Sequence, residues 1–325
     1  MRNILITGAC GFIGHHLVKY LLEKTEDHLY IIDKLSYASF GLDRLREIDA
    51  LNNPRIHLYI YDLNSKIDEG FTKELKDINW IIHLAAETHV DNSIKDPAYC
   101  VLNNIQSTVN LLEFTRTLKN LERFLYFSTD EVYGPALNGK LFEEHERHNP
   151  TNPYSASKSA SEVICKSYQN TYGIPLLICN AMNVFGERQH QEKFVPKCIK
   201  NVLTNSVNQI HCNEDKQSGS RFYIYAQNVA SAVHFIMTNG IIGDNYNIPG
   251  QEEIDNDVMC DRIAKILNKE AIKTYIVNDE NRPGHDIRYG LNGDKLLTLG
   301  WKPSGTIDEY LKNMVDWTLA NPSWM

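Results

Sequence analysis

The sequence predicts an α/β fold in which a doubly wound parallel sheet carries a smaller C-terminal lobe. Three observations lead there. Short β-type runs alternate with helical patterns as far as Asn180, the rhythm of βαβ units. The first run, Ile4-Leu5-Ile6-Thr7, meets a glycine turn, Gly8 to Gly14, that opens the first helical pattern. From Asn183 to Phe222 the alternation gives way to a polar, irregular stretch, the expected start of the second lobe.

The elements follow in order. A helical pattern, His15 to Leu22, leaves the glycine turn, and a second strand, His28 to Ile32, ends in Asp33. The third, Ile56 to Tyr61, ends in Asp62-Leu63, and the fourth, Trp80 to Ala86, closes on small residues that let a ligand lie against the backbone. Helical segments at Asp43 to Asn52 and Ser107 to Lys119 fall between strands. A fifth strand, Arg123 to Phe127, breaks off into Ser128-Thr129-Asp130-Glu131-Val132-Tyr133-Gly134. Pro153 to Tyr172 reads as an amphipathic helix stopped by Gly173 and Pro175. Leu176 to Asn180 is a further strand. Phe222 to Tyr225 and a helix at Val229 to Thr238 are expected to return to the first unit. Helices at Asp257 to Leu267 and Ile307 to Leu319, with a loop at residues 281–285, complete the chain. The expected division is 1–186 with 222–250 for a dinucleotide, and 187–221 with 251–325 for a substrate.

The bulk numbers exclude several classes. At 325 residues, 42% hydrophobic and 23% charged, the chain needs no staples to bury a core. A net charge of −8 argues against a nucleic-acid partner, so an anionic ligand must meet a local basic cluster. Seven scattered cysteines lack metal-ligand spacing and read as free or buried thiols of a reducing compartment. No apolar run is long enough to span a membrane, and the opening residues do not resemble a cleaved leader. A soluble, cytoplasmic protein without a metal site is expected.

Strand, glycine turn and helix place backbone N–H groups and a positive helix end where a pyrophosphate can sit. Gly8, Gly11 and Gly14 are spaced three apart and depart from G-x-G-x-x-G, so a plain tight turn is the alternative. Asp33, about 20 residues on, suits the ribose hydroxyls and repels a 2′-phosphate, which favours NAD over NADP; Lys34 pulls weakly the other way. Phe12, Ile13, Ser36, Asp62, Leu63, Leu84, Ala85 and Ala86 complete the expected cofactor contacts.

Tyr154 and Lys158, at i and i+4, share a helix face. A tyrosine is a poor base unless a cation lowers its pKa; Lys158 and a charged nicotinamide ring are the expected cations. Tyr154 then takes a proton from a substrate hydroxyl held by Thr129. The plainer alternative is an exposed Tyr and Lys, with Asp130 capping a turn and Glu131 in solvent.

With Asp62-Leu63, His83 to Asp91, Ser128 to Gly134 and Tyr154-x-x-x-Lys158 beside the glycine turn, the chain resembles the extended short-chain dehydrogenase/reductase superfamily, whose sheet is of the Rossmann type. The adjacent Asp130 and Glu131, Glu192-Lys193, Tyr246-Asn247-Ile248, Arg282 to Asp286 and Leu299-Gly300-Trp301 narrow the likeness. They are similar to the dTDP-glucose 4,6-dehydratases and their UDP-glucose relatives, over essentially the whole chain. The resemblance implies a redox-neutral lyase holding NAD, as in deoxysugar (rhamnose) biosynthesis. In it Tyr154 deprotonates the glucose 4-hydroxyl, Glu131 removes the C5 hydrogen, and Asp130 protonates the departing 6-hydroxyl. It also implies substrate contacts at Thr88, Asn183, Glu192, Lys193, His211, Arg221, Asn256, Arg282 and His285, with Arg221 and Arg282 facing the diphosphate. A homodimer is expected from it, and His83 is expected to be structural.

Departures bear on the base. The thymidine enzymes carry Leu-Pro-Ile-Tyr-Gly where this chain has Asn208-Gln209-Ile210-His211-Cys212, and a histidine there also occurs in the UDP-glucose enzymes, which leaves thymine and uracil open. Arg-Asp-Trp is Arg221-Phe222-Tyr223 here, Glu-Asp is Gln227-Asn228, and Ser107 replaces a glycine. Two rivals remain. A nucleotide-sugar 4-epimerase or decarboxylase shares NAD and the Tyr/Lys pair but does not need Asp130 and Glu131. A non-catalytic NAD-binding protein needs neither.

Overall fold

The computed structural model describes residues 1–277 and 288–325. Among them β1 (Asn3–Thr7), β2 (His28–Asp33), β3 (Ile56–Ile60), β4 (Trp80–His83), β5 (Arg123–Thr129), β6 (Leu176–Ala181) and β10 (Asn245–Ile248) form one parallel sheet in the order β3-β2-β1-β4-β5-β6-β10. The order reverses between β1 and β4, so the crevice where parallel sheets bind ligands opens at their carboxyl ends. Buried on both faces, β1, β4 and β5 read as continuous apolar runs.

One apolar core joins the sheet to α1 (Phe12–Lys24) and α8 (Ala226–Asn239). A second lies on the opposite face, under α5 (Pro97–Thr115) and α6 (Pro153–Tyr172). Short helices α2 (Asp43–Glu47), α3 (Glu69–Glu74) and α4 (Val90–Lys95) fill the crossovers. α6 matches its expected bounds because both ends are marked: Asn152 caps it and Gly173, at φ 72°, closes it in the left-handed region. α5 instead starts ten residues before the expected Ser107 and stops at Thr115. Pro97 occupies its first turn and Asp96 accepts from the Tyr99 N–H at 3.0 Å, a start signal the apolar periodicity does not carry.

The stretch 183–222, expected to be irregular, is built. It holds β7 (Asn183–Phe185), α7 (Phe194–Leu203), β8 (Asn208–Cys212) and the start of β9 (Ser220–Tyr225). β9 lies between β7 and β11 (Glu252–Asp255), and β8 pairs in parallel with β12 (Lys273–Val277). These strands, with α9 (Asn256–Ile266) and α11 (Ile307–Ala320), surround a separate core around Phe185, Ile199, Tyr223 and Met314. α10 (Asp294–Leu299) leans on β10. Strands of three to six residues between polar turns have too little length for alternation to show. All seven cysteines are free and buried, and among the described residues no helix is long and apolar enough to cross a membrane.

Candidate active site

The carboxyl ends of β1, β2, β4 and β5 open on a cleft of ≈ 460 Å³ whose opposite wall comes from β8, β9, α7 and α9. Every candidate catalytic, cofactor and substrate residue named above within the described chain lines it: the glycine turn and Asp33, the ends of β4 and β5, Tyr154 and Lys158, and the wall residues Asn183, His211, Arg221 and Asn256. Arg282 and His285 lie outside the described residues.

At the dinucleotide end the chain is shaped as the fit of NAD requires. Gly11 caps α1 without a side-chain hydrogen bond, so the first N–H groups of a 13-residue helix face the cleft. Gly8 sits at φ +72°, and a Cβ there would meet the Ala85 backbone at 2.8 Å. A Cβ on Gly14 would stand 2.3 Å from the Gly8 carbonyl oxygen. The spacing of three thus answers to the contact between turn, helix and β4. Asp33 accepts from the Cys10 N–H at 2.9 Å and the Leu35 N–H at 2.8 Å, one bond to each oxygen, leaving a lone pair on each for ribose hydroxyls. Lys34, also in the lining, donates from Nζ to Asn103 Oδ1 at 2.6 Å. Asp62 holds a turn by accepting from the Asn64 N–H at 3.0 Å.

At the reacting end β5 runs into a turn, and the hydroxyl of Thr129 is its hub. It accepts from the Glu131 N–H at 3.4 Å and donates to Asp130 Oδ1 at 3.1 Å. Its proximity to Tyr154 favours the phenolate, against the larger opposing effects of burial and of Glu131. Asp130 is 5% exposed, and its Oδ2 has no hydrogen-bond partner among the described residues. Burial, then the neighbouring Glu131 charge, push its carboxyl up to about 7. The Glu131 carboxylate accepts from Asn152 Nδ2 at 3.0 Å and from the Tyr289 hydroxyl at 3.5 Å.

Lys158 is buried, and loss of water lowers its ammonium to about 8 against the opposing charge of Glu162. Its Nζ donates to the Phe127 carbonyl at 2.7 Å and lies 4.2 Å from the Tyr126 ring centre. The expected lowering of Tyr154 is not found in the protein alone: burial first, then Glu131, push the phenol upward. The reason is placement, because the lysine is spent on Phe127 while two carboxylates crowd the phenol. His83, buried on β4, hydrogen-bonds Thr7 and Thr108 at 2.7 and 3.2 Å and is held neutral by burial, at about 3, a structural histidine.

On the opposite wall the Arg221 guanidinium is buried, 4.8 Å from the Tyr289 ring centre, and Asn256 accepts from the Tyr223 hydroxyl at 3.0 Å. Glu192 stands between His190 and His89 at 3.5 and 3.9 Å, and Lys193 donates to the Thr88 carbonyl at 3.3 Å. Sequence reasoning missed Tyr289, His190 and Asn103, all in the cleft lining. A lone tyrosine after residue 286 carries no motif of its own. Asn103 was findable beside Asn104, whose amide brackets the Glu87 backbone at 2.7 and 3.0 Å.

Comparison with known proteins agrees with this geometry. The family model of GDP-mannose 4,6 dehydratase matches residues 5–314. A dTDP-glucose 4,6-dehydratase from Haemophilus influenzae is 38% identical over 99% of both chains. A trifunctional protein of Arabidopsis thaliana whose name includes UDP-glucose 4,6-dehydratase is 37% identical over 99% of this chain, which spans 48% of that longer protein. The dTDP-glucose 4,6-dehydratase DesIV from Streptomyces venezuelae, solved with NAD bound, superposes with a TM-score of 0.90 at 30% identity, over 99% of this chain and 98% of its own.

Proposed function

Because the chain belongs to the GDP-mannose 4,6-dehydratase family, we propose that it is an NAD-dependent lyase converting a nucleoside-diphosphate glucose to its 4-keto-6-deoxy derivative. The observation that carries this reading is the pair Asp130 and Glu131 beside Tyr154 in one cleft. Loss of water from C5 and C6 needs a base and an acid at once, on different atoms. Glu131, held by Asn152 and Tyr289, is the base for the C5 hydrogen. Asp130, its carboxyl pushed up to about 7, is in large part protonated at neutral pH, as the acid for the departing 6-hydroxyl must be. An epimerase or decarboxylase has no use for the second carboxyl.

Residues 8 to 14, Asp33, and the ends of β4 and β5 would hold NAD, which when bound supplies a hydride acceptor for C4, a hydride donor for C6 and a positive ring charge beside Tyr154. Tyr154 takes the 4-hydroxyl proton with that charge near it, and Thr129 keeps the phenol and substrate hydroxyl in line. The buried Arg221 suits the diphosphate, where a planar guanidinium can bond two oxygens. His211 on β8 favours no one pyrimidine, so dTDP-glucose and UDP-glucose are both proposed substrates.

α5 and α6 pack against each other and leave Leu102 and Val163 67% and 61% exposed; we propose that this face is covered by a second copy of the chain. The test of the activity is incubation with dTDP-glucose and, separately, UDP-glucose in deuterated water. Loss of water, one deuteron at C5 and no net NADH are expected. A product of unchanged mass overturns the reading.

A further inference from the structure

Asn152 precedes the helix that carries Tyr154 and Lys158, and its amide faces two ways. Oδ1 accepts from the Ser155 N–H at 2.9 Å, capping α6, and Ser155 Oγ returns the contact by accepting from the Asn152 N–H at 3.2 Å. With the oxygen fixed as the cap acceptor, the other end must be Nδ2. That nitrogen donates to Glu131 Oε2 at 3.0 Å. The side chain is 6% exposed and lies behind the cleft, outside its lining.

Capping alone does not call for an asparagine, since serine, threonine or aspartate cap as well. Among these caps only the asparagine amide offers an acceptor to the helix and a donor to a carboxylate from one rigid group. The bond therefore fastens the turn after β5 to the first turn of α6. A second tie, from the Asn149 N–H to the Val132 carbonyl at 2.9 Å, keeps the two segments in register.

We propose that Asn152 is a positioning residue for the elimination, holding the Glu131 carboxylate at a fixed distance from Tyr154 so that base and phenol address neighbouring carbons of one sugar. The proposal rests on the dehydratase reading. Tyr154 and Glu131 act in turn on C4 and C5, and a misplacement of about 1 Å at such a centre can cost on the order of 100-fold in rate. Asn152 keeps both of its amide protons throughout; the C5 proton goes to Glu131.

Two variants separate the cap from the donor. Asn152→Ser keeps a cap acceptor but is too short to reach Glu131. Asn152→Asp keeps the shape and the cap and sets a like charge against Glu131. Each is purified with its bound NAD and compared with wild type for melting temperature, cofactor content, 340 nm absorbance in single turnovers, and deuterium uptake at C5, with dTDP-glucose and UDP-glucose in parallel arms. Expected are wild-type cofactor content and a wild-type rise at 340 nm. Its decay should be about 10- to 100-fold slower, with C5 deuterium falling in step and Asn152→Asp the slower of the two.

A serine variant with wild-type turnover and no lasting 340 nm signal overturns the proposal, as does one losing oxidation and elimination equally along with NAD, which marks a cap alone. No water loss in the wild type overturns the dehydratase reading and this proposal with it; wild-type turnover beside an unaffected variant overturns this one only.

Discussion

Asp130 and Glu131 are neighbours in the chain, yet the first carboxyl is buried and pushed up to about 7, by loss of water first and by the charge of the second next. This relationship lets one turn supply an acid and a base together. As acid, Asp130 must be protonated, so turnover should fall as pH rises through about 7. Asp130→Asn, which keeps a hydrogen bond to Thr129 but has no proton to give, should lose 10²- to 10⁴-fold in dehydration and lose that basic limb as well. Steady-state rates from pH 5 to 9 decide it.

The same shift has a sign for stability. Between the ordinary carboxyl range and about 7 the folded chain keeps a proton that the unfolded chain has released, so stability is lost as pH rises through that window. Asp130→Asn has no such loss. It should melt several degrees above wild type at pH 8, with the gap closing toward pH 4. Equal melting points at pH 8 would remove the burial cost argued for Asp130.

Glu162 and Lys158 stand one turn apart on α6, both buried. Burial lowers the Lys158 ammonium to about 8, and the Glu162 charge is the first influence opposing it. Glu162→Gln should therefore leave Lys158 largely neutral at pH 7.5. Activity should fall there and return as pH is lowered toward 6, a downward move of the basic limb in kcat/KM. A profile identical to wild type would show that Glu162 serves Asn180, whose Nδ2 donates to it at 2.9 Å, and His148, whose Nε2 stands 3.5 Å away, rather than Lys158.

What the sequence disclosed and what it hid divide along physical lines. The large sheet was legible because strands buried on both faces leave unbroken apolar runs, and α6 because its cap and its stop are both written in residue types. Asp33, Asp130 and Tyr154 were legible through their places at element ends. The second lobe was legible as a change of composition and in its helices near Asp257 and Ile307, but its strands were not, since they are short and owe their order to pairing between β7, β9 and β11, distant in the chain. Nor was the direction of the Tyr154 shift, which is set first by burial and then by the Glu131 charge, neither of which spacing can show. Tyr289 reaches Glu131 across 158 positions, beyond any local pattern.

Asp33 accepts two backbone N–H bonds and leaves one lone pair per oxygen for the cofactor. Its charge, and the bonds it offers to hydroxyls, should exclude a 2′-phosphate. Asp33→Ser should retain less NAD after purification and shift preference toward NADP, read as the two dinucleotides released on denaturation and as binding of each by calorimetry. Unaltered NAD content with no gain for NADP would remove Asp33 from that role.

Leu102 on α5 and Val163 on α6 are both exposed on a pair of helices packed side by side. A two-fold assembly on this face repeats each contact, so four apolar side chains leave water. At about 1.5 kcal/mol each, the low end for a buried Leu or Val, they contribute roughly 6 kcal/mol, or about four powers of ten in Kd. The double variant Leu102→Glu and Val163→Glu replaces that gain with four desolvated charges facing one another. It should elute as a monomer in size-exclusion chromatography with light scattering at micromolar concentration, where wild type should elute as a dimer. Because neither residue lines the cleft, NAD content measured on the monomer separates loss of assembly from loss of fold. A double variant that stays dimeric places the contact on another face.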